Sequence, residues 1–547
     1  MKKLLCAATL ASLSSLSLAD TTLIHNVNGY TLDANKALQQ FTAIQFSDDS
    51  IDRLYQNGDE LPETADRIID GEGKTMLSGL VDSHGHVLSY GLSLLRVDLT
   101  GTSTEQEAAQ RVAAFAEANS ELEWIQGRGW NQVLWDSNSF PTAASIDAVV
   151  SDKPVWLTRV DGHAAWANSA AMELAGITDR TEDPDGGQII RDANGKATGV
   201  FVDNAMVLIR RHIPPVSADE QRYALQTSMQ GLAANGLTSV HDAGVGSATI
   251  QTYKDLVSDG PLPIRVNVMI SAGDENYELL LDQGHFRSSD DTLTINSVKI
   301  VADGALGSRG AALIDDYSDM PGHRGLLTLD DERLEYLMRR AMNANFQVNT
   351  HAIGDNANMI VLDNYEALIA QTDSRARRHR IEHAQILRYE DILRFAELGV
   401  IPAMQATHAT SDKNMAQDRI GEVRIQGAYA WRKLLDTGTI IANGSDFPVE
   451  SPNPFFGLHA AITRQDQNNE PPGGWFPEER MSREEAFASF TIDAAYAGHQ
   501  EDIIGSLAPG KKADFIFIDR DIFTIPESEI WQTRVEQTWV GGEQVYP

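Results

Sequence analysis

Residues 79–86 read Gly79-Leu80-Val81-Asp82-Ser83-His84-Gly85-His86, a short apolar run that ends in two histidines at i and i+2. In an extended chain that spacing turns both imidazoles to one face. Seven later segments have the same apolar texture: residues 238–241, 264–268, 297–301, 346–351, 380–383, 400–403 and 439–443. Helical stretches such as 331–344 and 359–371 separate them, an alternation that predicts βα units around a parallel sheet. Eight parallel strands predict an α/β fold built on a (β/α)8 TIM barrel.

The strand ends are polar, and in an informative order. Lys299 interrupts the apolar run 297–301, His351 and His383 close their strands, and Asp446 follows the eighth in Asn443-Gly444-Ser445-Asp446. A barrel gathers its strand ends at one mouth, so side chains hundreds of residues apart converge there. Singly, each is weak: a strand-end histidine is commonly a hydrogen-bonded structural residue, and Lys299 could simply pair with Asp303. Jointly, the set in strand order predicts a metal site. A buried ammonium at Lys299 is costly unless it is paired or chemically changed.

Outward from the barrel, both chain ends are rich in short strands. Residues 20–77 and 498–547 are expected to pair into one small β-sandwich, leaving 78–497 for the barrel. The gap between the first two barrel strands is too long for a simple loop. Its segments 124–135, 156–166 and 186–202 place an inserted, β-rich subdomain at about residues 120–205.

Residues 1–19 read as a cleavable signal peptide. Lys2-Lys3 precede an apolar stretch from Leu4 to Leu18, and Ser17-Leu18-Ala19 offers a small-x-small cut after Ala19. The stretch is too short and serine-rich to span a membrane, and no other segment approaches the necessary length. The expectation is an exported, periplasmic protein. Cys6, the only cysteine, lies in this leader, so the remainder has neither disulfide nor thiolate ligand. Against 44 Lys+Arg the chain sets 78 Asp+Glu, a formal charge of -34, which excludes phosphate-backbone binding. The one basic run, residues 375–380, is short and leads directly into an apolar strand.

These motifs resemble the amidohydrolase superfamily of metal-dependent hydrolases, and within it the group that includes N-substituted formamide deformylases. The carrying segments are 79–86, Gly127-Arg128-Gly129-Trp130, residues 298–309 (with Lys299, Asp303 and Arg309), 350–355, 380–384, 444–449 and the tail 505–514. The resemblance covers essentially the whole chain after the leader. It implies a two-metal site, with His84, His86 and Asp446 holding one ion, His351 and His383 the second, and an N-carboxylated Lys299 bridging them. A carbamate answers the cost of a buried ammonium, because its two oxygens suit cations about 3.5–4 Å apart. The N/O donor set suits zinc. The implied chemistry is hydrolysis of a non-peptide C–N bond, amide or N-formyl, in a small molecule by a metal-activated hydroxide. Asp446 would be the catalytic proton carrier, and a homodimer is common among similar proteins.

Other residues carry alternatives. Asp303 and Arg309 could orient the carbamate, grip a substrate carboxylate, or pair with each other. Trp130 could wall the substrate pocket or pack inside the insertion, and His163 is a candidate substrate contact. A mononuclear ring deaminase is a competing reading, but it usually lacks the bridging lysine and places a glutamate after a strand-end histidine. Here Ala352-Ile353-Gly354 follow His351. A metal-bound sensor without turnover is the third.

Overall fold

The computed structural model describes residues 20–547 except 133, 134, 138, 161, 163, 185 and 186. The expected leader with Cys6, and the candidate His163, lie outside the described residues.

All eight expected barrel strands form: β1 Leu80–Gly85, β2 Leu237–Val245, β3 Arg265–Ser271, β4 Leu293–Val301, β5 Gln347–Ala352, β6 Arg380–His383, β7 Ile401–Gln405 and β8 Ala442–Gly444. Each pairs in parallel with the next, in chain order. Every residue of β1, β6 and β7 is buried, as strands covered on both faces require. At the mouth β8 returns to β1 and nearly closes the cylinder. The Asp446 N–H donates to the His84 carbonyl at 2.7 Å, and the His86 N–H to the Phe447 carbonyl at 2.8 Å. Gly444 permits that approach, since a Cβ there would lie 2.6 Å from Asp82 Oδ1 and from the His84 nitrogen.

The outer helices follow from amphipathic spacing. Asp331–Asn343 buries Leu334, Leu337, Met338 and Ala341 on one stripe, and the Asp330 carboxylate caps it by accepting from the Arg333 N–H at 2.8 Å. The helix expected at 359–371 begins a turn earlier, as Asp355–Thr372, with Gly354 as its N-cap.

The two chain ends meet in a single eight-stranded sheet. Thr75–Ser78 from the N-terminal side pairs antiparallel with Phe515–Ile518 from the C-terminal side. Ile24, Ile44, Phe46, Phe515, Phe517 and Trp539 share its core. A buried fork ties this sheet to the barrel: Arg265 of β3 donates from Nε and Nη2 to the Asp514 carboxylate at 2.7 and 2.8 Å.

Between β1 and β2 lies a six-stranded sheet. Val97–Asp98, Ile125–Trp130 and Val155–Arg159 run parallel, followed by antiparallel Ala164–Ala167, Ala197–Asp203 and Gly187–Arg191. The sheet starts well before residue 120, because its two-residue first strand is too short to leave a hydrophobic pattern. Trp130 is fully buried in this sheet's core, its ring 6.1 Å from Trp135 and 6.3 Å from Trp166. Its Nε1–H donates to the Leu157 carbonyl at 2.8 Å. Among the described residues no helix is long and apolar enough to cross a membrane.

Candidate metal centre and its cleft

The ends of β1, β4, β5, β6 and the turn after β8 bring His84, His86, Lys299, His351, His383 and Asp446 to one mouth. The His84 and His383 rings are 4.8 Å apart, His351 and His383 4.6 Å, and His84 and His86 5.6 Å. Lys299 Nζ lies 3.0 Å from His84 Nε2. Asp446 Oδ1 lies 3.1 Å from His86 Nε2 and 3.7 Å from His84 Nε2. Ligand atoms of His84, His383 and Asp446 all fall within 4.8 Å of one another. His383 and Asp446 have φ of 74° and 60°, a left-handed backbone at which the chain bends out of the strand direction.

Three of the four histidines, His84, His86 and His383, are oriented as metal ligands are. The Nδ1 of His86 faces the Ala243 carbonyl at 2.9 Å, that of His84 the Glu382 carboxylate, and that of His383 the Gln405 Oε1 at 2.8 Å. Each acceptor fixes the proton on Nδ1 and leaves a lone pair on Nε2. His86 Nε2 then faces the Asp446 carboxylate acceptor to acceptor, and Asp446 Oδ1 is buried without a hydrogen-bond partner. A cation between such donors removes the conflict, so the residues present fit a divalent metal with N/O ligands.

Burial sets the electrostatics. It pushes the Lys299 ammonium down to about 8, with Glu382 and Asp446 opposing the shift. Burial, reinforced by Lys299, lowers His84 to about 4. For Glu382 burial acts upward, but Arg380 and His84 outweigh it and hold the carboxylate at about 2. Asp82 is driven up to about 7 by burial, although the Ser445 hydroxyl at 2.7 Å and the His84 N–H at 3.0 Å both donate to it.

Lys299, His351, His383 and Asp446 line a cleft of about 1450 Å³, together with His86, Gln385 and His408. Its outer walls mix apolar Leu306, Leu329 and Val449 with acidic Glu275 and Glu450. None of the insertion's described residues lines it, so Trp130 is a packing residue and does not wall the pocket. Asp303 and Arg309 also depart from expectation. The Asp303 carboxylate accepts backbone N–H groups of Ile353, Ala312 and Gly354 at 2.9, 2.9 and 2.8 Å, and its Oδ1 lies 3.3 Å from His351 Nε2. It therefore buttresses the loop after β5 and cannot grip a substrate carboxylate. Arg309 pairs with Asp319 at 2.8 Å outside the cleft, not with Asp303.

Sequence reasoning missed Glu382, His408, Gln385 and Gln405 as site residues. Arg380 and Glu382 alternate with Ile381 in one short strand, and such an inward pair of opposite charges is the signal that was there to find. His408 follows the end of β7 by three residues, within reach of the same strand-end rule.

Comparison with known proteins agrees with this geometry. The Amidohydrolase family matches residues 67–546. Protein LONG AFTER FAR-RED 3 of Arabidopsis thaliana is 35% identical over 490 residues, 87% of this chain and 83% of that protein. The N-substituted formamide deformylase of Arthrobacter pascens is 26% identical over 542 residues, 95% of this chain and 97% of that one. Among solved structures, an uncharacterized metal-dependent hydrolase from Pyrococcus horikoshii OT3 superposes with a TM-score of 0.75 at 26% identity, covering 93% of this chain and 99% of that one.

Proposed function

This chain belongs to the amidohydrolase family, and from that premise we propose that it hydrolyses an amide or N-formyl C–N bond of a small molecule at a two-metal centre. The observation that carries the reading is the common orientation of His84, His86 and His383, each with Nδ1 anchored and Nε2 left as a lone-pair donor in the group that includes Lys299 and Asp446. His84, His86 and Asp446 would hold one divalent ion, and His351 and His383 with a carboxylated Lys299 a second. The N/O donors suit zinc, and such ions would supply polarisation of the scissile carbonyl and a water whose pKa falls from about 15.7 towards about 7.

The chain's own groups do the rest. Burial lowers Lys299 to about 8 and so raises its share of free amine, the form that adds carbon dioxide to give a carbamate and a proton. Asp446 Oδ1 is buried without a hydrogen-bond partner, beside His86 Nε2 and His84 Nε2. The Asp446 carboxylate takes a proton of the attacking water and returns it to the leaving nitrogen as the C–N bond breaks, giving a carboxylic acid and an amine that ionise to carboxylate and ammonium. The deformylase from Arthrobacter pascens supports the N-formyl end of this substrate range.

Metal analysis and a panel of N-formyl and N-acyl amines test the reading. The wild type should carry two ions per chain and hydrolyse members of the panel, and Asp446→Asn should lose hydrolysis. A native mass lacking the added carbon dioxide, with one ion per chain, favours a second reading. In it His84, His383 and Asp446, whose ligand atoms cluster most closely, hold a single ion. Failure of the wild type across the whole panel overturns the hydrolase assignment. The leader composition of residues 1–19 supports export, and the mature N-terminus should then be Asp20 by sequencing.

A further inference from the structure

His408 differs from His84, His86 and His383 in the partner at its Nδ1. Its Nδ1 faces the amide nitrogen of Gln385 at 3.0 Å, a donor, where His84, His86 and His383 have acceptors at the same atom. The Gln385 N–H group donates to Nδ1, so the imidazole proton resides on Nε2. His408 Nε2 is buried, lines the cleft and has no hydrogen-bond partner. The nearest carboxylate oxygen, Asp446 Oδ2, is 3.8 Å away, too far for a hydrogen bond. His408 is 7% exposed and its ring lies 6.0 Å from that of His383, inclined by 21°. A buried N–H without an acceptor costs about 1–3 kcal/mol, so a native site that keeps one has a use for it.

We propose that His408 is a catalytic hydrogen-bond donor, whose Nε2–H binds the acyl oxygen of the substrate and the oxyanion that forms there. Gln385 is its positioning residue, setting the tautomer. The same reversal of acceptor for donor at Nδ1 excludes His408 from the metal ligands, because its Nε2 offers no lone pair. The assignment rests on the proposed C–N hydrolysis for its substrate, but not for the tautomer or for anion binding.

The test therefore has two arms, both on metal-loaded protein. In the first, 15N-histidine NMR reads the tautomer, with His408 assigned by the signal missing from His408→Asn. The expected result is Nε2–H in the wild type, a shift of that signal on titration with acetate, and conversion to Nδ1–H in Gln385→Glu, whose carboxylate accepts. In the second arm, with an N-formyl amine that the wild type hydrolyses, His408→Phe should lower kcat by about 10²–10³-fold with metal content intact. His408→Asn, which keeps an N–H donor, should recover part of the loss, and Gln385→Glu should lose activity despite an intact His408. An Nδ1–H tautomer in the wild type, no response to acetate, or unchanged kcat in His408→Phe overturns the proposal. If the wild type hydrolyses nothing, the hydrolase reading falls while the first arm still decides the role of His408.

Discussion

Glu382 sits between Arg380 and His84, and its ionised carboxylate allows one barrel interior to hold both. Arg380 donates to it from Nε and Nη2, each at 2.8 Å, and reaches on to the Ser83 carbonyl and His241. In Glu382→Gln the His84 Nδ1–H loses its anionic acceptor. Metal affinity should fall by about 10–100-fold, measured by competition with a chelator. His379 supplies a pH prediction away from the metal centre. Its Nδ1 accepts from the Val348 N–H at 3.0 Å and its Nε2–H donates to the Ser374 hydroxyl at 2.9 Å, so the folded ring is neutral. Burial lowers it from 6.5 to about 3, with His499 and Arg377 adding to the shift. As pH falls below 6.5 the unfolded ring takes a proton that the folded ring refuses until about 3. This component of stability is complete above pH 6.5 and declines by up to about 1.4 kcal/mol per unit towards pH 3. Urea unfolding across that range should show a shallower decline for His379→Gln than for the wild type.

At the scale of elements, the junction of β1 with β8 decides whether His84 and His86 meet Asp446. The Asp82 carboxylate spans it, accepting from the His84 N–H on one strand and from the Ser445 hydroxyl and N–H on the other side. Gly444→Ala would push a methyl group against both Asp82 Oδ1 and the His84 nitrogen. Neither can retreat without moving a ligand strand, so the change should cost at least about 1–3 kcal/mol and reduce bound metal. Urea midpoints and metal analysis check both. A wild-type midpoint with full metal would mean that the junction is compliant. The strands themselves were legible because they are largely buried apolar runs, several of which carry a polar residue at or near the C-terminal end. Val97–Asp98 was not legible, since a two-residue strand owes its existence to its partner Ile125–Trp130.

At the scale of the whole molecule, Arg265 and Asp514 join barrel and terminal sheet across 249 positions of sequence, with both side chains almost fully buried. Removing one partner strands a charge in the interior. Asp514→Ala should therefore cost about 3–5 kcal/mol in urea unfolding. Arg265 together with Asp514 replaced by apolar residues of similar volume should recover much of that loss. If Asp514→Ala unfolds like the wild type, the fork is not what holds the sheet to the barrel.

The sequence alone determined the barrel and the six polar residues at its mouth. Both follow from local rules, an apolar strand period and a polar side chain where each strand reaches solvent, and a closed parallel barrel turns those local ends into one place. Tertiary structure decided what each polar side chain faces. Trp130 looked like a pocket wall from its motif, yet it packs among tryptophans brought from elsewhere in the insertion. Arg309 follows the Lys299 strand but its partner, Asp319, lies across a loop. His408 and His383 are the same residue type, each just beyond or at a strand end, and only the amide group placed against Nδ1 separates an Nε2–H from an Nε2 lone pair. Pattern can place a side chain at the mouth. Its tautomer and charge depend on neighbours that are distant in sequence and are fixed only when the barrel closes.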